Sequence, residues 1–176
     1  MSIAKSATMT HATAAFPESR HDHADCVERT LAAAERICRD RQARLTPQRR
    51  RVLEVLLADH VAVGAYEIAD RLAENGRRPA PTIIYRALDF LIEVGLVHRL
   101  ASLNAFIACG HPGSAHGAQF LICNGCGLVA EISDPRLAGA VAEAARRVDF
   151  AVLRPIVEIT GRCPACRPGL RGRGDA

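Results

Sequence analysis

The sequence predicts an α+β chain in two units: a mostly helical first unit that ends in a β-hairpin, and a smaller α/β second unit. Three observations carry this. Helix-period apolar patterns run from residue 26 to residue 95 and are followed by two short apolar segments around a turn. A turn-rich stretch, Gly110-His111-Pro112-Gly113-Ser114, then breaks the pattern. Beyond it, two Cys-x-x-Cys pairs, Cys123/Cys126 and Cys163/Cys166, bracket a strand–helix–strand pattern. The expected boundaries are a disordered arm at 1–24, a first domain at 25–109, a second at 110–168 and a tail at 169–176.

The arm is rich in Ala, Ser, Thr and His and lacks apolar periodicity. Its His21-Asp22-His23 is a loose metal-binding candidate, though its composition suits a solvated tail better. From Cys26 to about Gln42, Val27, Leu31, Ala34 and Ile37 share a helical stripe, with Cys26 and Cys38 expected to act as small hydrophobes. Thr46-Pro47 is a helix start, hydroxyl at the cap and proline at the first position. Val52, Leu53, Leu56 and Leu57 supply that helix's apolar face. A third helix is expected from Ala65 to Glu74, stopped by Asn75-Gly76. Pro81 opens a fourth, with Ile84, Leu88 and Leu91 inward and Gly95 at its end. Leu96–Leu100 and Ala105–Ala108 form the hairpin around Ser102–Asn104. In the second unit, Gln119–Ile122 and Leu128–Ile132 read as strands. Asp134-Pro135 starts a helix with Leu137, Val141, Ala145 and Val148 on one face. Phe150–Ile159 reads as an edge strand interrupted by Pro155.

With the first helix set aside, three helices and a hairpin are the order of a winged helix-turn-helix. That architecture needs a helix with base-reading side chains on one face and apolar residues on the other. The fourth helix has both, with Thr82, Tyr85, Arg86 and Asp89 opposite its inner face. The same pattern also suits an ordinary packed helix. The net charge of +4 does not by itself argue for nucleic acid. Its distribution is more telling: Arg41, Arg44, Arg49, Arg50 and Arg51 crowd together with no acidic residue among them. Such a cluster suits phosphates, or a solvated helix face.

Apolar residues make up 49% of the chain, yet there is no Trp and aromatics are only 4%. A small core of that kind invites a metal or a partner subunit. No apolar run of membrane length and no export leader is evident, so a cytoplasmic protein is expected. Seven cysteines in a reducing compartment point to metal or redox chemistry. Each Cys-x-x-Cys turn aims two thiolates at one point, and two such turns close a tetrahedral cage that suits structural zinc. A four-cysteine iron site and a redox dithiol are the rivals; absorbance separates them, since iron–thiolate is coloured. A second candidate set, His98, Cys109, His111, His116 and Glu131, has no short metal-motif spacing but brackets the junction between the units.

The stretches LTPQRRRVLEVL, AYEIADRL, PTIIYRALDFL, VGLVHRLASLNAFIAC and CNGCG…CPAC resemble the ferric uptake regulator family, most closely its zinc-sensing branch. The resemblance runs from about Leu45 to Cys166. It implies a winged-helix DNA-binding domain, a small α/β dimerisation domain, a four-cysteine structural zinc and a sensing site at the hinge. It assigns Cys123, Cys126, Cys163 and Cys166 to the structural ion, and His98, Cys109, His116 and Glu131 to the regulatory one, with His111 the competing third ligand. It puts Tyr66, Asp70, Tyr85 and Arg86 at DNA-contact positions. Thr82 joins them from the helix pattern, and Arg44, Arg49, Arg50 and Arg51 from the basic cluster.

The expected function is therefore a zinc-responsive repressor with one structural and one regulatory zinc per subunit. Its homodimer would bind double-stranded, AT-rich inverted-repeat operators, with no membrane or small-molecule substrate involved. A thiolate at the hinge favours zinc over iron or manganese. The alternatives are a sensor of another metal or of peroxide stress, a non-sensing DNA binder, and a thiol or zinc enzyme. For the last, no catalytic motif is evident.

Overall fold

In the computed structural model, residue 16 and residues 23–113 and 117–167 are described. Of the expected arm, only Phe16 and the residues from His23 onward fall within them; the tail beyond Arg167 lies outside. The first unit comprises α1 (His23–Asp40), α2 (Pro47–Leu57), α3 (Ala65–Arg71), α4 (Pro81–Glu93) and an antiparallel hairpin of β1 (Val97–Leu100) and β2 (Ala105–Ala108). The second comprises β3 (Ala118–Cys123), β4 (Val129–Ile132), α5 (Pro135–Arg146), β5 (Ile156–Gly161) and a 3-10 turn at Pro164–Cys166.

Local chemistry explains where the elements start. The Thr46 side chain accepts the Arg49 N–H at the head of α2, and Asp134 does the same for Arg136 at the head of α5. Pro47, Pro81 and Pro135 each fill a first-turn position where no N–H is needed. The inner faces of α2, α3 and α4 bury Val52, Leu53, Leu56, Ile68, Ile84, Leu88 and Leu91, and α1 adds Leu31, Ala34 and Cys38. Cys38 is a packing residue, as expected, and burial pushes its thiol pKa up.

Three expectations are corrected. α1 begins at His23, inside the segment read as arm. α3 ends at Arg71 rather than Glu74, because Asn75 and Gly76, both at positive φ, form a two-residue turn that pairs Glu74 with Arg77. The last strand begins only at Ile156. Asp149 takes a left-handed conformation, and Pro155, which has no N–H to give a ladder, directly precedes the strand.

The second sheet has the order β4-β3-β5. β3 pairs antiparallel with β4 and parallel with β5, so β5 is an edge strand, as expected. Leu100 and Ile107 of the hairpin pack with Ala118, Phe120, Ile122 and Val129 of this sheet, forming a small core between the units. Residues 60–63 stitch the two units together. Val63 bridges to Phe106, Val61 bridges to Leu128, and Val129 donates to the His60 carbonyl. Two candidate ligand sets lie where these packings end.

Candidate metal centres

The parallel pairing of β3 and β5 builds the first centre. Cys123, at the end of β3, stands in register with Gly161, at the end of β5, so both chain ends emerge side by side. The β3–β4 turn then supplies Cys126, and the segment after β5 supplies Cys163 and Cys166. All four sulfurs lie within 4.8 Å of one another. Cys126 Sγ and Cys163 Sγ are 3.7 Å apart. A tetrahedral ion with bonds of about 2.3 Å to sulfur requires edges of about 3.8 Å. The donor set and its size therefore fit zinc in a closed site.

Backbone donors prepare the sulfurs. The N–H groups of Gly125 and Cys163 each point at Cys123 Sγ at 3.3 Å. Led by the Cys163 N–H, they pull the Cys123 thiol down to about 6. Hydrogen bonding with Cys126 and the other thiols pushes Cys166 up to about 12. The cage thus holds protons that a metal must displace. Gly125 sits in a tight space: a Cβ there would lie 3.0 Å from Cys166 Cβ and Sγ, so that the Cys166 side chain would have to shift. Gly125→Ala should speed zinc loss to a chromophoric chelator roughly tenfold, the scale of damage to a metal site's supporting shell. An unchanged release rate would show that the turn yields.

The second centre joins three distant segments: His98 on β1, Cys109 just past β2, and Glu131 on β4. Their ligand atoms also lie within 4.8 Å of one another. His98 Nε2 is 3.3 Å from Glu131 Oε1, and Cys109 Sγ is 3.9 Å from the same oxygen. For zinc bonds to nitrogen and oxygen, the tetrahedral edge is about 3.4 Å. Gly110 N–H donates to the other Glu131 oxygen at 2.7 Å. Cys109 is only 1% exposed. Burial pushes its thiol up to about 12, the Glu131 carboxylate adds to this, and the His111 N–H pulls part of the way back. A buried carboxylate and a buried thiol oppose each other's ionisation, and a dication between them reverses that penalty. A cavity of about 210 Å³ opens beside Cys109 and Glu131, lined also by Asp59, His60 and His111. His116, the expected fourth ligand, lies outside the described residues.

On the first unit, Tyr66 is 64% exposed and Tyr85 41%. Thr82, Arg86 and Asp89 share the exposed side of α4, and Arg44 and Asp70 are exposed as well. The other arginines of the basic cluster are engaged. Arg49 stacks 3.4 Å from the Phe90 ring centre. Arg50 bridges Glu35 and Glu54, and Arg51 pairs with Glu74. These pairs are solvent-accessible and weak enough to exchange for phosphates. Sequence reasoning missed Arg78, which pairs with Asp70 across the α3–α4 turn. The available signal was Arg77-Arg78 directly after Asn-Gly and before the proline that leads into α4.

A helix-turn-helix unit with a wing, joined to a small α/β unit through a thiol-bearing cluster of metal-ligand residues, defines a two-domain winged-helix metalloprotein. Residues 40–160 match the ferric uptake regulator family, and the chain belongs to that family. It is 37% identical over 137 residues to the zinc uptake regulation protein of Escherichia coli (strain K12), covering 77% of this chain and 80% of that one. Among solved structures, it is similar to a zinc uptake regulator complexed with zinc and DNA, at TM-score 0.75 and 36% identity over 80% of this chain and 94% of that one. It is also similar to the holo form of XcZur, at TM-score 0.72 and 39% identity over 80% of this chain and 97% of that one.

Proposed function

We propose that this chain is a zinc-responsive transcriptional repressor, a cytoplasmic regulator rather than an enzyme. Its zinc-loaded homodimer binds AT-rich inverted-repeat operators and represses zinc-uptake genes. The observation that carries the reading is the His98–Cys109–Glu131 cluster at the junction of wing and sheet. One structural zinc per subunit is assigned to Cys123, Cys126, Cys163 and Cys166. One regulatory zinc is assigned to His98, Cys109, Glu131 and His116. The described chain also resembles, over both units, a relative captured with zinc and DNA.

The dimer reading has its own support. α5 buries none of its residues, although Leu137, Val141 and Ala145 line one face. Val148 is 75% exposed, Phe150 67% and Leu153 92%. An apolar surface of this extent is suited to a second copy, which would present two winged helices to two half-sites.

Five thiolates and two dications nearly cancel, so zinc adds almost nothing to the net charge. Its effect on DNA affinity is geometric. The ion joins β1 and the end of β2 to β4, and thereby sets the angle between the wing and the dimer-forming unit. Moving such an equilibrium from 1:99 to 99:1 takes about 5.5 kcal/mol of differential binding. Arg44 and the Arg49–Arg51 cluster neutralise phosphates. Tyr66, Asp70, Thr82, Tyr85 and Arg86 face the groove, with Arg86 suited to a guanine edge and Tyr85 to a thymine methyl.

The deciding experiment measures metal per purified subunit, then operator binding by gel shift with and without a chelator. Two zinc ions per subunit and chelator-sensitive binding are expected; binding indifferent to zinc sinks the reading. Arg86→Ala should lose about 1–3 kcal/mol of operator preference while keeping a salt-sensitive background. Fluorescence anisotropy on operator and scrambled duplexes at several salt concentrations checks it. An equal loss on both duplexes would reduce Arg86 to a phosphate contact.

A further inference from the structure

The sheet carries a second carboxylate turned toward the wing. Glu131 on β4 and Glu158 on β5 are both in register with Phe120 on β3, so the three form one row across the sheet. Phe120 is fully buried at the middle of the row, with its ring edge-on to His98 at 5.2 Å. At one edge, Glu131 meets the hinge cluster. At the other, Glu158 accepts the backbone N–H of Ala101 at 2.7 Å and of Ser102 at 3.0 Å, together with the Ser102 hydroxyl. Ala101 and Ser102 begin the turn between β1 and β2, which is the tip of the wing.

Two successive N–H groups of a turn form a small anion cradle, and here the anion belongs to the other unit. Burial would raise the Glu158 carboxyl, but the donors from Ser102 and Ala101 outweigh it and hold the group below its ordinary range. The contact uses no cation. A wing fixed to the sheet only at the metal could still swing about that point. A second attachment across Phe120 removes the swing, so less ordering remains to be done when the ion and DNA bind.

We propose that Glu158 is a positioning residue for operator binding: it pins the wing tip to the sheet at the edge opposite the regulatory metal, so that the ion has only the remaining freedom to close. This rests on the zinc-repressor reading above. Glu158 is not a metal ligand and does not touch DNA; it acts through the orientation of the wing.

The test titrates full-length wild type, Glu158→Gln and Ser102→Ala with buffered free zinc while following operator binding. Glutamine keeps the size of the side chain but loses the charge and one accepting oxygen. The half-maximal zinc concentration should rise roughly tenfold for Glu158→Gln, the scale of one charge-assisted contact. It should rise roughly threefold for Ser102→Ala, which loses only the hydroxyl donor. Zinc per subunit at saturation, dimer mass, melting temperature and binding to non-specific duplex should match wild type. Variant curves that superimpose on a zinc-dependent wild type overturn the inference alone. So does a Glu158→Gln dimer whose melting temperature falls in step with its operator affinity, since that is a general structural role. A wild type indifferent to zinc overturns the repressor reading and takes this inference with it.

Discussion

Cys123→Ser is expected to unfold the second unit and abolish the dimer. Cys123 is 1% exposed at the end of β3, where its sulfur collects two backbone N–H groups. Losing it opens the cage and leaves those donors facing a poorer acceptor. The size of the effect follows from what else holds this unit. Its sheet buries a short apolar set centred on Phe120, Ile122 and Val129, part of it shared with the wing. α5 buries nothing in the single chain. A structural zinc site contributes about 10–16 kcal/mol of apparent binding free energy. A whole domain is stable by about 5–15 kcal/mol. Removal of one ligand therefore reaches the scale of the entire unit. Circular dichroism should show lost strand signal, size-exclusion chromatography should show monomer or aggregate, and metal per subunit should fall. A stable dimer that still binds the operator would reduce the four-cysteine site to a minor brace.

The elements of the first unit were legible because their signals are local. Thr46-Pro47 caps a helix wherever it is followed by Val52, Leu53, Leu56 and Leu57 in register. The four-cysteine site was legible for the same reason, since each Cys-x-x-Cys turn is complete within a few residues. The errors arose where a local signal had two structural uses. Asn75-Gly76 can end a helix or make a two-residue turn, and pairing between Glu74 and Arg77 selects the turn. Phe150–Pro155 is apolar enough for a strand, but β3 offers ladder partners only from Ile156 onward.

The hinge is different. His98, Cys109 and Glu131 meet because a hairpin packs on a sheet through Leu100, Ile107 and Phe120, and no spacing in the chain encodes that. The sequence offered these residues within a wider set bracketing the junction, the family resemblance narrowed that set, and the fold supplies the geometric reason. Glu158 had no signal at all. Its partners are mainly backbone N–H groups at Ala101 and Ser102, which no pattern of side chains reveals.

Cys109→Ser is expected to leave a folded dimer whose operator binding no longer answers to zinc. The substitution is nearly isosteric, and the four-cysteine cage is untouched. Cys109 is buried at the wing's exit and belongs to neither of the chain's Cys-x-x-Cys turns. Serine exchanges the one soft donor of the hinge for a hydroxyl that zinc binds poorly, leaving an N/O set from His98 and Glu131. The population shift assigned to that ion, about 5.5 kcal/mol for a full switch, is then lost. Operator titrations in buffered zinc should become flat, and metal content should fall by one ion per subunit, while dimer mass and secondary structure stay those of wild type. The comparison with Cys123→Ser is the sharper test. One variant should lose its response and keep its fold, and the other should lose its fold. Equal collapse in both would mean that the hinge ion holds the chain together rather than reporting on zinc.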